Sequence, residues 1–171
     1  MDTARRSVVV ADQVWIATAL LHREHPERAD FASWEIRVRL RAEAIVDDPP
    51  APAGVDTAIS QDCVANKPPQ PDKLRMLYET GTGRRRLFRP GDDYHPEREG
   101  PPERRGTRIT PRREDIPERY RSLLDWYETE YVRRADGGEE PDPILALVGL
   151  GKEIWNGEHP DEYVRRLREG W

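Results

Sequence analysis

The chain lacks most of the features that would identify it at a glance. It has one cysteine, Cys63, among 171 residues, which excludes a disulfide framework and a zinc site built on cysteine pairs. The four histidines, His22, His25, His95 and His159, are dispersed, and no two have the spacing of a helical metal site. Only Lys67, Lys73 and Lys152 are lysines, so arginine carries nearly all of the positive charge. The longest apolar run near the N-terminus, Val8-Val9-Val10-Ala11, is too short for a signal-peptide core or a membrane span. A soluble cytoplasmic protein is therefore expected. There is no P-loop, no Gly-x-Ser-x-Gly elbow, no paired-histidine signature and no ordered Cys–His arrangement. Carboxylates abound, but a nuclease needs several of them converging on a metal from a rigid core. Here most fall in connectors or on helix surfaces. No catalytic residue, metal or cofactor is assigned, and enzymatic activity is not expected.

What the chain does have is polarity. Hydrophobic residues make up 36% and charged residues another 36%, with 16 prolines. That composition predicts a small packed core joined by Pro-, Gly- and charge-rich connectors. The net charge of −5 is unevenly spread. Residues 1–66 hold 7 basic and 11 acidic side chains, residues 67–113 hold 13 and 7, and residues 114–171 hold 8 and 15. A basic middle segment fits a local nucleic-acid contact, while the global charge argues against strong non-specific binding.

From about Ala11 to Glu24, Val14, Ala17, Leu20 and Leu21 recur at helical spacing, with Trp15 and Ile16 beside them and Asp12 near the N-cap. Pro26 ends this helix. A second helix is expected from Phe31 or Ser33 to Ile45, capped by Asp30 or Ser33, although the alternation Ile36-Arg-Val-Arg-Leu-Arg41 also reads as a strand. Asp47–Gly54 is a connector by composition. Val55–Ala65 predicts a short third helix, capped by Asp56 or Thr57, with Ile59 and Val64 inward, and Asn66-Lys-Pro-Pro69 stops it. Leu74–Glu79 and Arg84–Arg89 then flank Thr80-Gly-Thr-Gly83, a β-hairpin signal.

Three short helices and a hairpin follow the element order of a winged helix-turn-helix domain, whose third helix enters the major groove while the hairpin lies along the backbone or minor groove. On that arrangement Thr57, Ser60, Gln61, Asn66 and Lys67 face DNA, and Arg84, Arg85 and Arg86 come from the wing to meet phosphates. The competing assignment makes the arginine triplet a solvated strand edge. Pro90–Gly106 is expected to be a loop with little structure of its own, and Asp92, Asp93 and His95 are more simply solvated than metal-binding. Ile116–Arg133 is the clearest helix. Pro117 suits its first turn, and Ile116, Tyr120, Leu123, Leu124, Tyr127 and Tyr131 form one apolar stripe with Trp126 at its margin. The stripe either packs on the preceding core or joins two copies through Tyr120, Leu124, Tyr127 and Tyr131.

After Arg134-Ala-Asp-Gly-Gly-Glu-Glu-Pro141 comes the most apolar stretch, Asp142-Pro-Ile-Leu-Ala-Leu-Val-Gly-Leu-Gly-Lys-Glu-Ile-Trp155. A hinge at 156–160 leads to Asp161-Glu-Tyr-Val-Arg-Arg-Leu-Arg-Glu-Gly-Trp171. Leu145, Leu147, Leu150, Ile154 and Trp155 can fill a groove, and Tyr163, Val164 and Leu167 share a face beside Arg165, Arg166 and Arg168. These two blocks, in order, resemble the toxin-binding tail of VapB-type antitoxins, which neutralise PIN-domain ribonucleases. The resemblance covers about the last thirty residues. It implies a PIN-domain toxin as partner, with Leu145, Leu147, Leu150, Lys152, Ile154, Trp155, Tyr163, Arg165, Arg166, Leu167, Arg168 and Trp171 as its contacts. One of the three arginines, or less favourably Lys152, would reach the toxin's acidic metal site. Most antitoxins of that family carry a smaller DNA-binding element, so the upstream domain departs from their pattern.

The expected architecture is mainly α with a small hairpin. Residues 1–110 form a winged-helix-like DNA-binding domain, 111–134 a long amphipathic helix, 135–142 a linker and 143–171 a toxin-binding arm. The expected function is that of a type II antitoxin that also binds operator DNA. The alternative is a winged-helix transcription regulator whose tail mediates dimerisation.

Overall fold

The structure is a computed structural model that describes residues 8–135. The chain divides into two units, Met1–Ala135 and Asp136–Trp171, and the described residues all belong to the first. It is mainly helical, with one small three-stranded antiparallel sheet.

Helix α1 spans Val10–Glu24. Its Val14, Trp15, Ile16 and Ala17 are all fully buried, so this helix is covered on more sides than an amphipathic surface helix would be. A two-residue strand β1, Phe31–Ala32, leads directly into α2, Ser33–Glu43. The run Ile36-Arg-Val-Arg-Leu-Arg41 is helical: Ile36 and Leu40, four residues apart, are buried, while Trp34 and Val38 are 61% and 58% exposed. The expected cap is corrected. Ala32 is the N-cap, and the Glu35 carboxylate accepts from the Ala32 amide at 2.8 Å while Arg28 grips it at 2.7 and 3.0 Å. Asp30 and Ser33 do other work, described below.

Helix α3, Pro52–Thr57, begins earlier than the apolar pattern predicts, with Ala51 rather than Asp56 or Thr57 as its cap. Proline at the first helical position costs nothing, because that amide has no intrahelical partner and the ring already holds a helical φ. The helix continues as a π-helical turn over Ala58–Asp62, closed by the Cys63 amide bonding to the Ala58 carbonyl at 3.2 Å. This wider turn leaves Ile59 and Cys63 inside. Burial pushes the Cys63 thiol up to about 12.

Strands β2, Leu77–Gly81, and β3, Arg84–Leu87, form a hairpin, and β1 adds to the far edge of β3, giving the order β1-β3-β2. The connection is only Thr82-Gly83, two residues shorter than the sequence suggests, and Gly83 has φ +69° as such a turn requires. The Ser33 amide and hydroxyl both donate to the Gly83 carbonyl, at 2.8 and 3.0 Å, and tie the start of α2 to the turn.

The C-terminal helical segment comprises α4, Ser122–Trp126, a π turn over Tyr127–Tyr131, and α5, Val132–Ala135. Its stripe is inside the molecule. Tyr120, Leu124, Tyr127 and Tyr131 are 4%, 8%, 2% and 5% exposed. Trp15 meets Tyr127 edge-on at 5.7 Å, Tyr127 stacks on Tyr131 at 5.6 Å, and their hydroxyls donate to the carbonyls of Phe88 and Leu87. The expectation of a homodimer through these four residues is therefore corrected: one chain already consumes the surface that a second copy would need.

His22 lies in this junction, 3% exposed, with Phe31 and Tyr131 at 4.8 and 4.9 Å and no partner for its Nε2. Burial, with Arg89 and Arg86 nearby, lowers its pKa from 6.5 to about 3. The unfolded chain therefore takes up a proton that the folded chain refuses. The stability contributed by neutral His22 is complete above about pH 6.5 and is lost progressively as pH falls toward 3, at up to about 1.4 kcal/mol per pH unit. Urea midpoints measured from pH 7 to pH 4 should fall less steeply for His22→Leu than for the unmodified protein. Parallel pH profiles would contradict this assignment.

Candidate nucleic-acid interface

The exposed edge of α3 and its π turn presents Thr57 and Ser60, with Gln61 half-buried beside them. The Thr57 hydroxyl bonds back to the Ala53 carbonyl at 2.9 Å and Ser60 leans on the Thr57 carbonyl at 3.4 Å. Both bonds use the hydroxyl as donor, so each oxygen retains lone pairs for an incoming group. Asp56 pairs with Arg37 of α2 at 2.6 Å, which fixes the two helices against each other.

The other residues expected to face DNA are committed elsewhere. The Asn66 side chain exchanges two hydrogen bonds with the Glu79 backbone, donating to its carbonyl at 3.0 Å and accepting from its amide at 2.9 Å. It clamps the chain after α3 to β2. Lys67 pairs with the Glu79 carboxylate at 2.6 Å. The arginine triplet is split by the period-2 alternation of a strand. Arg85 points inward and is 2% exposed, donating to the Ile59 and Ser60 carbonyls at 3.0 and 3.4 Å and pairing with Glu79 at 3.2 Å. Arg84 and Arg86 point the other way but each has its own carboxylate. Arg84 holds Asp30 at 2.5 Å, and Arg86 grips Asp92 with two bonds of 2.7 and 2.8 Å while lying over the Tyr78 ring. Arg84 and the Thr80 hydroxyl keep the Asp30 carboxyl below its usual range.

The loop after β3 is more ordered than its composition suggests. Asp93 accepts from the Tyr78 hydroxyl at 2.6 Å, and His95 Nδ1 accepts from the Glu97 amide at 3.3 Å. These contacts give Asp92, Asp93 and His95 structural work. Among the described residues no group of three or more His, Cys, Asp or Glu could hold a metal ion, and no helix is long and apolar enough to cross a membrane.

The residue that sequence reasoning missed is Arg98. It is fully buried, and its guanidinium donates to the carbonyls of Lys67 at 2.6 Å, Gln61 at 2.8 Å, Asp62 at 2.9 Å, Pro68 at 3.1 Å, and Leu74. Burial pulls its pKa down, opposed by Cys63 and Asp62. The result joins the end of α3, the 67–75 connector and the 96–108 loop at one point. Arg75 repeats the device, donating to the Gly100 carbonyl at 2.6 Å and, over longer distances, to Thr107. Arg108 pairs with buried Asp12 of α1 at 2.7 Å. Burial raises Asp12's pKa despite that pair.

No protein family, curated protein or solved structure matches this chain. The face made by α3 and its neighbouring loops therefore rests on its own geometry. The tail residues expected to contact a toxin, Leu145, Leu147, Leu150, Lys152, Ile154, Trp155, Tyr163, Arg165, Arg166, Leu167, Arg168 and Trp171, lie outside the described residues.

If Arg98 organises this face, removing it should be costly. Arg98→Met strands five carbonyls and is expected to lower the free energy of unfolding by about 3–5 kcal/mol. Arg98→Lys recovers only part of this, because an ammonium has three donors and no fork. A urea-unfolding loss below about 1 kcal/mol for Arg98→Met would contradict the role assigned to it.

Proposed function

We propose that this protein is a type II antitoxin. Its N-terminal unit binds duplex operator DNA as a winged helix, and its C-terminal arm inhibits a PIN-domain ribonuclease. The DNA-binding half rests on one observation above others: helix, strand, helix, helix, strand, strand, with the strands ordered β1-β3-β2. In a winged helix that order sets the third helix beside the hairpin, where the helix reads the major groove and the hairpin lies along the backbone. Here α3 and its π turn supply Thr57, Ser60 and Gln61 as hydrogen-bonding groups suited to base edges. Asn66 and Arg85 hold this face in shape, and the hairpin is short.

The toxin-binding half rests on the two ordered blocks at 142–155 and 161–171. Leu145, Leu147, Leu150, Ile154 and Trp155 anchor the arm in an apolar groove of the toxin. A guanidinium from Arg165, Arg166 or Arg168 enters the carboxylate cluster that binds the toxin's metal and competes with both metal and substrate phosphate.

The direct test is co-expression with a PIN-domain protein encoded beside this one. Deleting residues 142–171 is expected to abolish co-purification and rescue of growth. Trp155→Ala in the full chain should weaken the complex by about 2 kcal/mol, or roughly 30-fold. Binding that survives the deletion would overturn the antitoxin assignment and favour a transcription regulator whose tail serves another purpose.

A further inference from the structure

Operator binding needs cations free to meet phosphate, and the arginine triplet of the hairpin does not supply them. Arg84 and Arg86 are paired with Asp30 and Asp92, and Arg85 is inside. An incoming phosphate at Arg84 or Arg86 displaces a carboxylate already at 2.5–2.7 Å, so little net charge is neutralised there.

The surplus lies elsewhere. Residues 8–135 carry 22 basic and 23 acidic side chains, close to balance. Within them, the connector 67–75 and the loop 94–113 together hold nine basic residues against four acidic ones, Asp72, Glu97, Glu99 and Glu103. The two segments are stitched together, the Lys73 amide bonding to the Gly106 carbonyl at 3.0 Å and the Arg75 amide to the Arg108 carbonyl at 3.1 Å. Arg98 joins both to the carbonyls of Gln61 and Asp62 at the end of α3. Arg75 and Arg98 are buried and donate to backbone carbonyls rather than to carboxylates, and Asp62 is the acidic neighbour that acts on Arg98, so the two guanidiniums leave a local positive excess. On the surface above them Lys73, Arg104 and Arg105 are exposed, and none has a side-chain hydrogen bond or ion pair among the described residues.

We infer that this loop pair, through Lys73, Arg104 and Arg105, is the phosphate-backbone contact of the DNA-binding face, next to the exposed edge of α3. The inference rests on the operator-binding function proposed above and moves the electrostatic contact from the hairpin to the 73/104–105 loops. A bound duplex engages base edges through Thr57, Ser60 and Gln61 while these three cations release counterions from the adjoining backbone.

The test uses the full-length protein and a fluorescein-labelled duplex covering the region upstream of its own gene, titrated by anisotropy from 50 to 300 mM NaCl. Each phosphate contact contributes about 0.9 to the slope of log affinity against log salt. Lys73→Ala/Arg104→Ala/Arg105→Ala is expected to flatten that slope by about 2–3 and to weaken binding at 100 mM salt by at least about tenfold, while Arg84→Ala changes the slope by less than about 0.5. The three side chains are exposed, so the thermal midpoint should be unchanged. Arg104→Glu/Arg105→Glu should weaken binding further. Wild-type binding with an unaltered slope in the triple variant would overturn the placement of the phosphate contact but leave operator binding standing. An Arg84→Ala effect as large as the triple one would do the same. No binding of the duplex by the wild-type protein would overturn both.

Discussion

The Arg98 guanidinium is the contact on which the arrangement of this domain depends. Five backbone carbonyls from three separate stretches converge on one planar cation. None of those stretches has enough apolar surface to fold against the others by burial alone. Within the 67–75 and 94–113 segments, Leu74, at the approach to β2, is the one large apolar side chain that is buried. A charge-assisted hydrogen bond is roughly twice as strong as a neutral one, and a buried guanidinium can make several at fixed angles. The chain thus uses arginine geometry where a more apolar sequence would use packing. Arg75, Arg85 and Arg108 extend the same device to the loop, the hairpin and α1.

This explains how residues 8–135, part of a chain with only 36% hydrophobic residues, hold together. Among the described residues the core draws mainly on α1, the inner faces of α2 and α3, one face of the sheet, and the aromatic stripe of the C-terminal helical segment, with Val8, Ile45, Val64, Leu74 and Met76 added from the connections. Around it the polypeptide is tied by side chain to backbone. The cost is specificity of charge placement: a buried guanidinium that loses its acceptors, or acceptors that lose their guanidinium, are left unsatisfied in a low-dielectric region.

Elements with a strong period were legible in the sequence. Val14, Ala17 and Leu20 marked α1 within a residue of its ends. Tyr120, Leu123, Leu124 and Tyr127 marked the C-terminal segment, but the helix expected from Ile116 begins only at Ser122, after a single 3-10 turn over Glu118–Tyr120. The two-residue strand β1 was not, because Phe31-Ala32 has no alternation to read and exists only by pairing with β3. The start of α3 was missed because Pro52 reads as a breaker although it is well suited to a first turn. At the candidate interface Thr57 and Ser60 are exposed and Gln61 half-buried beside them, whereas Arg85 and Asn66 serve the fold. Strand alternation through Arg84-Arg85-Arg86 was a usable signal that the middle arginine faces the opposite way. Nothing local distinguished buried Arg98 from exposed Arg104 or Arg105, since the difference lies in the carbonyls that surround it.

Stability and the proposed function draw on the same architecture. The loops that Arg98 fastens to the end of α3 are the same ones that carry the free cations, so the packing of one buried side chain sets the position of the proposed contact surface. Hydrogen–deuterium exchange on the intact protein, with and without the upstream duplex, tests that account most directly. It predicts new protection confined to residues 57–61, 73 and 100–108, with the already buried stripe at 116–131 unchanged. Protection restricted to the hairpin at 80–86, or none at all on this face, would contradict it.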